Sequence, residues 1–246
     1  MRLSKLANFL LGMISFILFW YFLFLVTNNP SIPHPFASLK KAWDIKNILF
    51  LHTGASFLRI FISLILASLI SVSLGILLAR FEKVNCLFSP LIYFLYPLPK
   101  VAFLPIFMIF FGLGNTSKIL LIFSIISLQL LLSIRDGVNQ IPKTYYQVMK
   151  DYHSSYLQEL RYVTFPALIP TLFSSLRVSV AISLASLFFA ENYATTYGLG
   201  YLIMGAWTKM DYEELFVGIL AIAILGFFIF TLLDELEKRL MPYRSL

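Results

Sequence analysis

The sequence predicts an all-α, polytopic membrane protein in which six helices cross the bilayer. Of its 246 residues, 59% are hydrophobic and 13% are charged, whereas soluble domains average about 45–50% apolar and about 25% charged residues. Uncharged runs long enough to cross a membrane recur along the chain. This composition excludes a disordered chain, a collagen and a nucleic-acid-binding domain.

Five uncharged runs approach the roughly 20 residues that a helix needs to cross about 30 Å of hydrocarbon. They are Ala7–Val26, Ile60–Ala79, Ile119–Ile134, Val178–Ala190 extended back to about Ala167, and Leu215–Leu233. The first run follows Arg2 and Lys5, as a signal peptide would. Because it is longer than the usual apolar core of about 7–15 residues, we expect a retained span.

The sixth crossing is Leu87–Leu113, which several residues interrupt. They are Pro90, Pro97, Pro99, Lys100 and Pro105. Proline removes a backbone donor and frees a carbonyl, which a membrane tolerates only where that carbonyl faces protein or a water-filled cavity. The region is therefore predicted to be one broken helix.

The Lys and Arg residues predict which side each loop occupies, because cytoplasmic loops carry the basic excess. With a cytoplasmic N-terminus, the inner segments hold Arg2, Lys5, Arg80, Lys83, Arg135, Lys143, Lys150, Arg161, Lys238, Arg239 and Arg244. The outer segments hold Lys40, Lys41, Lys46, Lys118 and Lys209. The excess favours cytoplasmic N- and C-termini. The net charge of +7 says little about ligands, since this rule produces it.

Three segments between the spans have recognisable patterns. Three prolines make Thr27–Pro35 an expected extended outer loop, and Asp44–Ser56 is expected to form a short interfacial helix. The segment Arg135–Arg161 carries apolar and aromatic residues at spacings of three and four, which predicts short amphipathic helices on the inner membrane surface. These residues are Tyr145, Val148, Met149, Tyr152, Tyr156 and Leu160.

Three segments resemble the permease subunit of bacterial binding-protein-dependent ABC importers. They are Pro97–Leu121 (PLPKVAFLPIFMIFFGLGNTSKILL), Gln147–Pro166 (QVMKDYHSSYLQELRYVTFP) and Glu191–Trp207 (ENYATTYGLGYLIMGAW). The group that they resemble transports nitrate, sulfonates, taurine and vitamin precursors. The resemblance covers about residues 55–235 of a single domain, 1–246, with an N-terminal span and outer loop in 1–54. It implies a type I importer fold with a cytoplasmic coupling helix.

The middle segment is similar to the family's cytoplasmic loop, in which EAA precedes a glycine and a final I-x-L-P. Aligned on Pro166, the EAA motif falls on 147–149 and the glycine on His153. The resemblance implies ATPase coupling through Gln147, Val148, Met149, Tyr152, His153, Ser154 and Pro166. Histidine tolerates left-handed backbone angles less readily than glycine, so the turn is open to a different construction. An ordinary interfacial helix is the alternative.

The other two segments imply a translocation path and an outer gate. Pro97, Pro99 and Pro105 are expected to border the path. Lys100 either belongs to that path, as ionisable groups at membrane depth often do, or reaches an interface or a backbone carbonyl. Gate or binding-protein contact is implied for Glu191, Tyr197, Gly198 and Gly200, against the alternative of a surface loop with an aromatic belt.

The resemblance also implies the partners. These are two ATPase subunits that bind ATP and Mg²⁺, a second permease copy and an extracytoplasmic binding protein, all at a bacterial plasma (inner) membrane. This chain itself carries no phosphate-cradling loop and no metal-ligand spacing among its three histidines, so no enzyme activity or bound cofactor is expected. An ion-gradient-driven secondary transporter is the alternative function, and the substrate stays open between an oxyanion and a vitamin or pyrimidine precursor.

Overall fold

The computed structural model describes residues 5–27 and 29–241, with side chains from Leu11 onward. Within these ranges the regular structure is helical. The helices are α1 (Lys5–Thr27), α2 (Pro35–Asp44), α3 (Lys46–Arg80), α4 (Glu82–Leu95), α5 (Leu104–Phe111), α6 (Asn115–Asn139), α7 (Lys143–Asp151), α8 (Tyr156–Glu159), α9 (Phe165–Glu191), α10 (Leu199–Thr208) and α11 (Tyr212–Leu240). A 3₁₀ turn, Lys100–Phe103, precedes α5, and a π-helical turn, Leu160–Thr164, joins α8 to α9.

The predicted all-α membrane architecture is confirmed. Among the described residues, four continuous segments are long and apolar enough to cross a membrane: α3, α6, α11 and the run Tyr156–Glu191 that includes α9. The pair α4 and Lys100–Phe111 passes the same test when its two halves are taken together, and the bend of 87° between them is that of a broken span or a re-entrant loop. The 23 residues of α1 give it a length of about 34 Å at 1.5 Å per residue, and six crossings in all stay a prediction.

The centre of the bundle is formed by α3, α6, α9 and α11, whose apolar side chains make one continuous core. The α3–α6 contact is especially close. Ser63 and Ser71 of α3 donate hydrogen bonds to the carbonyls of Ile119 (3.0 Å) and Ser127 (2.7 Å). A Cβ on Gly75 would lie 2.8 Å from a side-chain carbon of Ile134. Small and hydroxyl residues let membrane helices approach in this way.

The broken span follows its prolines. Pro90 lies inside α4, Pro97 and Pro99 fall in the break, and Pro105 occupies the first turn of α5, where a missing N–H costs no helical hydrogen bond. Lys100 Nζ donates to the carbonyl of Tyr96 at 2.9 Å. A backbone carbonyl was one of the two options open for Lys100.

One predicted element was wrong. Asp44–Ser56 is not a separate interfacial helix, because α2 ends at Asp44 and α3 runs unbroken from Lys46 to Arg80. The polar residues that suggested an interface, among them His52 and Ser56, are buried and hydrogen-bonded within the bundle. Helix α3 therefore begins well before the apolar run Ile60–Ala79, because its polar residues there have buried hydrogen-bond partners.

The two ends of the bundle carry different helices. The inner end carries α7, α8, Arg80 at the end of α3 and the C-terminus of α11, whereas the outer end carries α2 and α10. Arg2 and Arg244, which entered the basic count, lie outside the described residues, as does the side chain of Lys5. The placement of the termini on the cytoplasmic side stays a prediction.

Candidate functional site

The inner-end segment 143–164, called the stub below, consists of α7, α8 and the π-helical turn. No residue of α7 is buried. Apolar and aromatic side chains point outward instead, with Tyr152 82% and Leu157 74% exposed and Val148 also exposed. A cluster of exposed apolar side chains on an otherwise polar segment is typical of a protein contact.

The turn between α7 and α8 places His153 in the left-handed region, with φ of +51°. The N–H and the hydroxyl of Ser154 both donate to the carbonyl of Met149, at 3.0 and 2.7 Å, and so end α7. Ser155 then caps α8 in a reciprocal pair with Gln158. His153 thus adopts the left-handed conformation for which glycine is usually chosen, and the turn does not need a different construction.

Polar and aromatic contacts fix the stub to the bundle. Arg80 forms an ion pair with Glu159, and its guanidinium lies 4.1 Å from the ring centroid of Tyr146. The Tyr146 hydroxyl lies 3.2 Å from Oγ1 of Thr164. Pro166 occupies the first turn of α9, directly after the π-helical turn. Because a proline cannot donate to the preceding turn, a local change of helix type there is expected.

A second group of polar residues, the outer cluster, lies at the other end. It consists of His52, Ser56, Arg59, Asn115, Glu191 and the backbone of Gly198–Gly200. Glu191 is fully buried and forms an ion pair with Arg59. It also accepts hydrogen bonds from the hydroxyl of Ser56 and the N–H of Gly200, both at 2.8 Å. Nε and Nη2 of Arg59 donate to Oδ1 of Asn115, at 2.9 and 2.7 Å.

The same cluster holds the start of α10. The N–H of Gly198 donates to Nδ1 of His52 at 2.9 Å, and the N–H of Leu199 donates to Oγ of Ser56 at 2.8 Å. A Cβ on Gly198 would lie 2.5 Å from an oxygen of Glu191, and one on Gly200 would lie 2.8 Å from a backbone carbonyl. Glycine is therefore required at both positions by close approach to the end of α9.

Lys118 fixes the loop beside this cluster. It is 1% exposed, and its ammonium group donates to the carbonyls of Leu113, Gly114 and Ala194 at 2.8, 3.2 and 3.0 Å. Three acceptors compensate a buried ammonium without a carboxylate. The charge thereby holds the α5–α6 turn against the loop that follows α9.

The structure groups most of the predicted site residues and separates others. The predicted coupling residues lie together on the stub and at its end. Glu191, Gly198 and Gly200 meet in the outer cluster, with the exposed ring of Tyr197 5.9 Å from that of His52. Lys100 instead bonds within its own span, and Pro97 and Pro99 are exposed. The roles assigned to all these residues stay predictions.

Sequence reasoning missed the partners of Glu191. Arg59 offered a signal, because an arginine inside a span needs an acceptor, but nothing in the sequence named Glu191 as that acceptor. The partner of Arg177 was also open. Arg177 donates to Asp234 at 2.7 Å and forms an ion pair with Glu237, joining α9 to α11.

Residues 71–242 match the protein family described as "Binding-protein-dependent transport system inner membrane component". The chain belongs to this family. The permease is 32% identical to the taurine transport system permease protein TauC of Escherichia coli strain K12, over 80% of this chain and 72% of that protein. It is 24% identical to the formylaminopyrimidine transport permease protein ThiX of Halalkalibacterium halodurans, over 87% and 86% of the two chains.

A solved structure has the same fold. A chain of the inward-facing MetNI methionine ABC transporter superimposes with a TM-score of 0.67 over 80% of this permease and 98% of that chain, at 14% sequence identity. The family match confirms the predicted resemblance, and the protein is the membrane-spanning permease subunit of an ABC importer. This membership favours the ABC permease over the secondary transporter that the sequence left open.

Proposed function

We propose that this permease works as a homodimer that is driven by two ATPase subunits docked on its stubs. The exposed apolar face of α7 and α8, with Tyr152, Val148 and Leu157 outward, is the observation that carries the proposal. A short amphipathic helix laid in a partner's groove is a common recognition mode. ATP and Mg²⁺ would be bound by the ATPase subunits, and this chain would bind neither.

The proposed orientation has the stub and both termini in the cytoplasm and the outer cluster facing the binding protein. The basic residues favour it. A labelling experiment tests it, with Cys86, the single cysteine of the sequence, replaced by serine and Tyr152 by cysteine. The new thiol should react with an impermeant reagent in inside-out vesicles from cells that lack the ATPase subunits, where the docking face is uncovered. Labelling in intact cells would refute the orientation and the docking together.

The proposed solute is a small polar molecule of the types named for the relatives, which include taurine, nitrate and formylaminopyrimidine. The binding protein would largely set the selectivity. Thermal-shift measurements on the cognate binding protein with taurine, an aliphatic sulfonate, nitrate and formylaminopyrimidine would identify the solute. A binding protein stabilised by none of these would refute the proposed substrate range.

ATPase docking is tested by Tyr152→Glu in the complete transporter. A charge placed on the exposed apolar face should abolish co-purification of the ATPase, because an unpaired carboxylate would have to be desolvated at the contact. The matched control is Tyr193→Glu, which changes an exposed tyrosine at the outer end. An ATPase that co-purifies equally with both variants would place the docking surface elsewhere.

A further inference from the structure

Arg80, the last residue of α3, joins that helix to both helices of the stub. Its guanidinium pairs with Glu159 of α8 and lies over the ring of Tyr146 in α7, with the ring of Tyr156 at 5.7 Å. Glu159 is buried. Desolvated charges and stacked guanidinium groups interact more strongly than exposed pairs. Through this contact, a movement of the stub can therefore move α3.

Apart from the continuous run from α8 into α9, the stub contacts the bundle through Tyr146 and Leu160. α7 buries none of its residues, and Tyr146 is the member of α7 that contacts Arg80 and Thr164. In addition, Leu160 of the π-helical turn packs against the apolar cluster that includes Ile76 of α3 and Ile134 of α6. Arg80 therefore lies where a displacement of α7 or α8 reaches α3, whereas α8 itself continues through the π-helical turn into α9.

α3 extends from this contact to the outer cluster without a break. Its 35 residues span about 52 Å at 1.5 Å per residue. At the far end, Ser56 and Arg59 hold Glu191, and His52 and Ser56 hold the first N–H groups of α10. A continuous helix with polar anchors at both ends is a physical connection between the stub and the outer cluster.

We infer that Arg80 is a positioning residue for ATP-driven transport, transmitting displacement of the stub through α3 to the outer cluster. The inference deepens the proposed function and rests on it, since an ATPase must first press on the stub. Arginine suits this position because its planar fork can pair with a carboxylate and stack on a ring at once, which lysine cannot do equally well.

The test uses the complete transporter, with permease, ATPase and binding protein in proteoliposomes. Arg80→Gln and Glu159→Gln should leave co-purification of the ATPase and basal ATP hydrolysis unchanged. Binding-protein-stimulated hydrolysis and uptake should each fall by about tenfold, within the range found for coupling between linked sites. The double variant should be no worse than either single one, because both remove the same contact.

The matched control is Arg161→Gln, which removes an exposed arginine of the same stub and should keep full stimulation. The inference is overturned if Arg80→Gln and Glu159→Gln assemble and keep stimulation within about twofold of the unmodified transporter. If the Arg80→Gln permease alone fails to assemble with the ATPase, the stimulated hydrolysis and uptake of the Glu159→Gln transporter test the inference. If neither assembles, the pair serves folding and the inference is also wrong. An unmodified permease that binds no ATPase would refute the proposed function instead.

Discussion

At the scale of single residues, the outer cluster shows how a charged pair is kept inside a membrane protein. Glu191 and Arg59 are both buried, and a buried charge is stable only when it is paired and its remaining hydrogen-bonding capacity is met. Ser56 and Gly200 donate further hydrogen bonds to the carboxylate of Glu191, while Asn115 accepts hydrogen bonds from the guanidinium of Arg59. In this conformation Glu191 fixes α10 against α3, and its role in a gate stays a prediction.

Gly198→Ala tests this packing. The added methyl group would meet the Glu191 carboxylate, and overpacking of this kind costs about 1–3 kcal/mol. We expect a lower Tm of the purified permease in detergent and reduced uptake. The control is Gly205→Ala in α10, where a Cβ has no neighbour within 4 Å and alanine is the better helix former. Equal Tm values for the two variants would contradict the close approach.

At the scale of elements, the stub is built from two short helices whose relative direction depends on one turn. The turn holds His153 at a positive φ, and Ser154 and Ser155 close the helix ends on either side. Left-handed angles cost a residue with a Cβ roughly 1–2 kcal/mol. The stub therefore keeps its shape despite an unfavourable residue, which makes the turn sensitive to substitution.

His153→Gly and His153→Val should act in opposite directions. Glycine removes the backbone cost and should preserve ATPase co-purification, whereas a β-branched residue at positive φ is strongly disfavoured and should reduce co-purification and uptake. Thr144→Val, in the first turn of α7, controls for the valine side chain in a helical position. Normal assembly of His153→Val would show that the turn angle does not matter for coupling.

At the scale of the whole molecule, polar contacts tie together segments that are distant in sequence. Arg80 joins α3 to the stub, Arg177 joins α9 to α11, and Lys41 of α2 pairs with Asp211 before α11 at 2.7 Å. The last pair lies outside the spans. Its hydrogen bond raises the pKa of Lys41. Burial alone would raise the pKa of Asp211, but the hydrogen bonds from Lys41 and from the N–H of Glu214 lower it overall.

The Lys41–Asp211 pair predicts a defined pH dependence. Because the pKa of Asp211 is lowered by folding, its contribution is present above the ordinary aspartate value of about 3.9 and is lost as the pH falls through the folded value. The raised pKa of Lys41 keeps the contribution constant on the alkaline side until the pH exceeds the ordinary lysine value of about 10.4.

The measurement compares the Tm of the unmodified permease with that of Asp211→Asn. Asparagine still caps a helix, so the hydrogen bond to Glu214 N–H is retained and the charge is isolated. The Tm difference should be constant between about pH 5 and pH 9 and shrink below about pH 4. A difference that persists unchanged in acid would show that the ion pair does not stabilise the fold.

Hydropathy, proline geometry and helical spacing are local properties of the chain, so the sequence alone predicts the membrane architecture, the break at the prolines and the amphipathic stub. It misjudged Asp44–Ser56, since polar residues that face a membrane surface look the same as polar residues with buried partners. Two ion pairs are visible only in the folded chain: Glu191 pairs with Arg59, 132 positions away, and Glu159 pairs with Arg80, 79 positions away. Ion pairing depends on separation in space, which the order of residues along the chain does not specify.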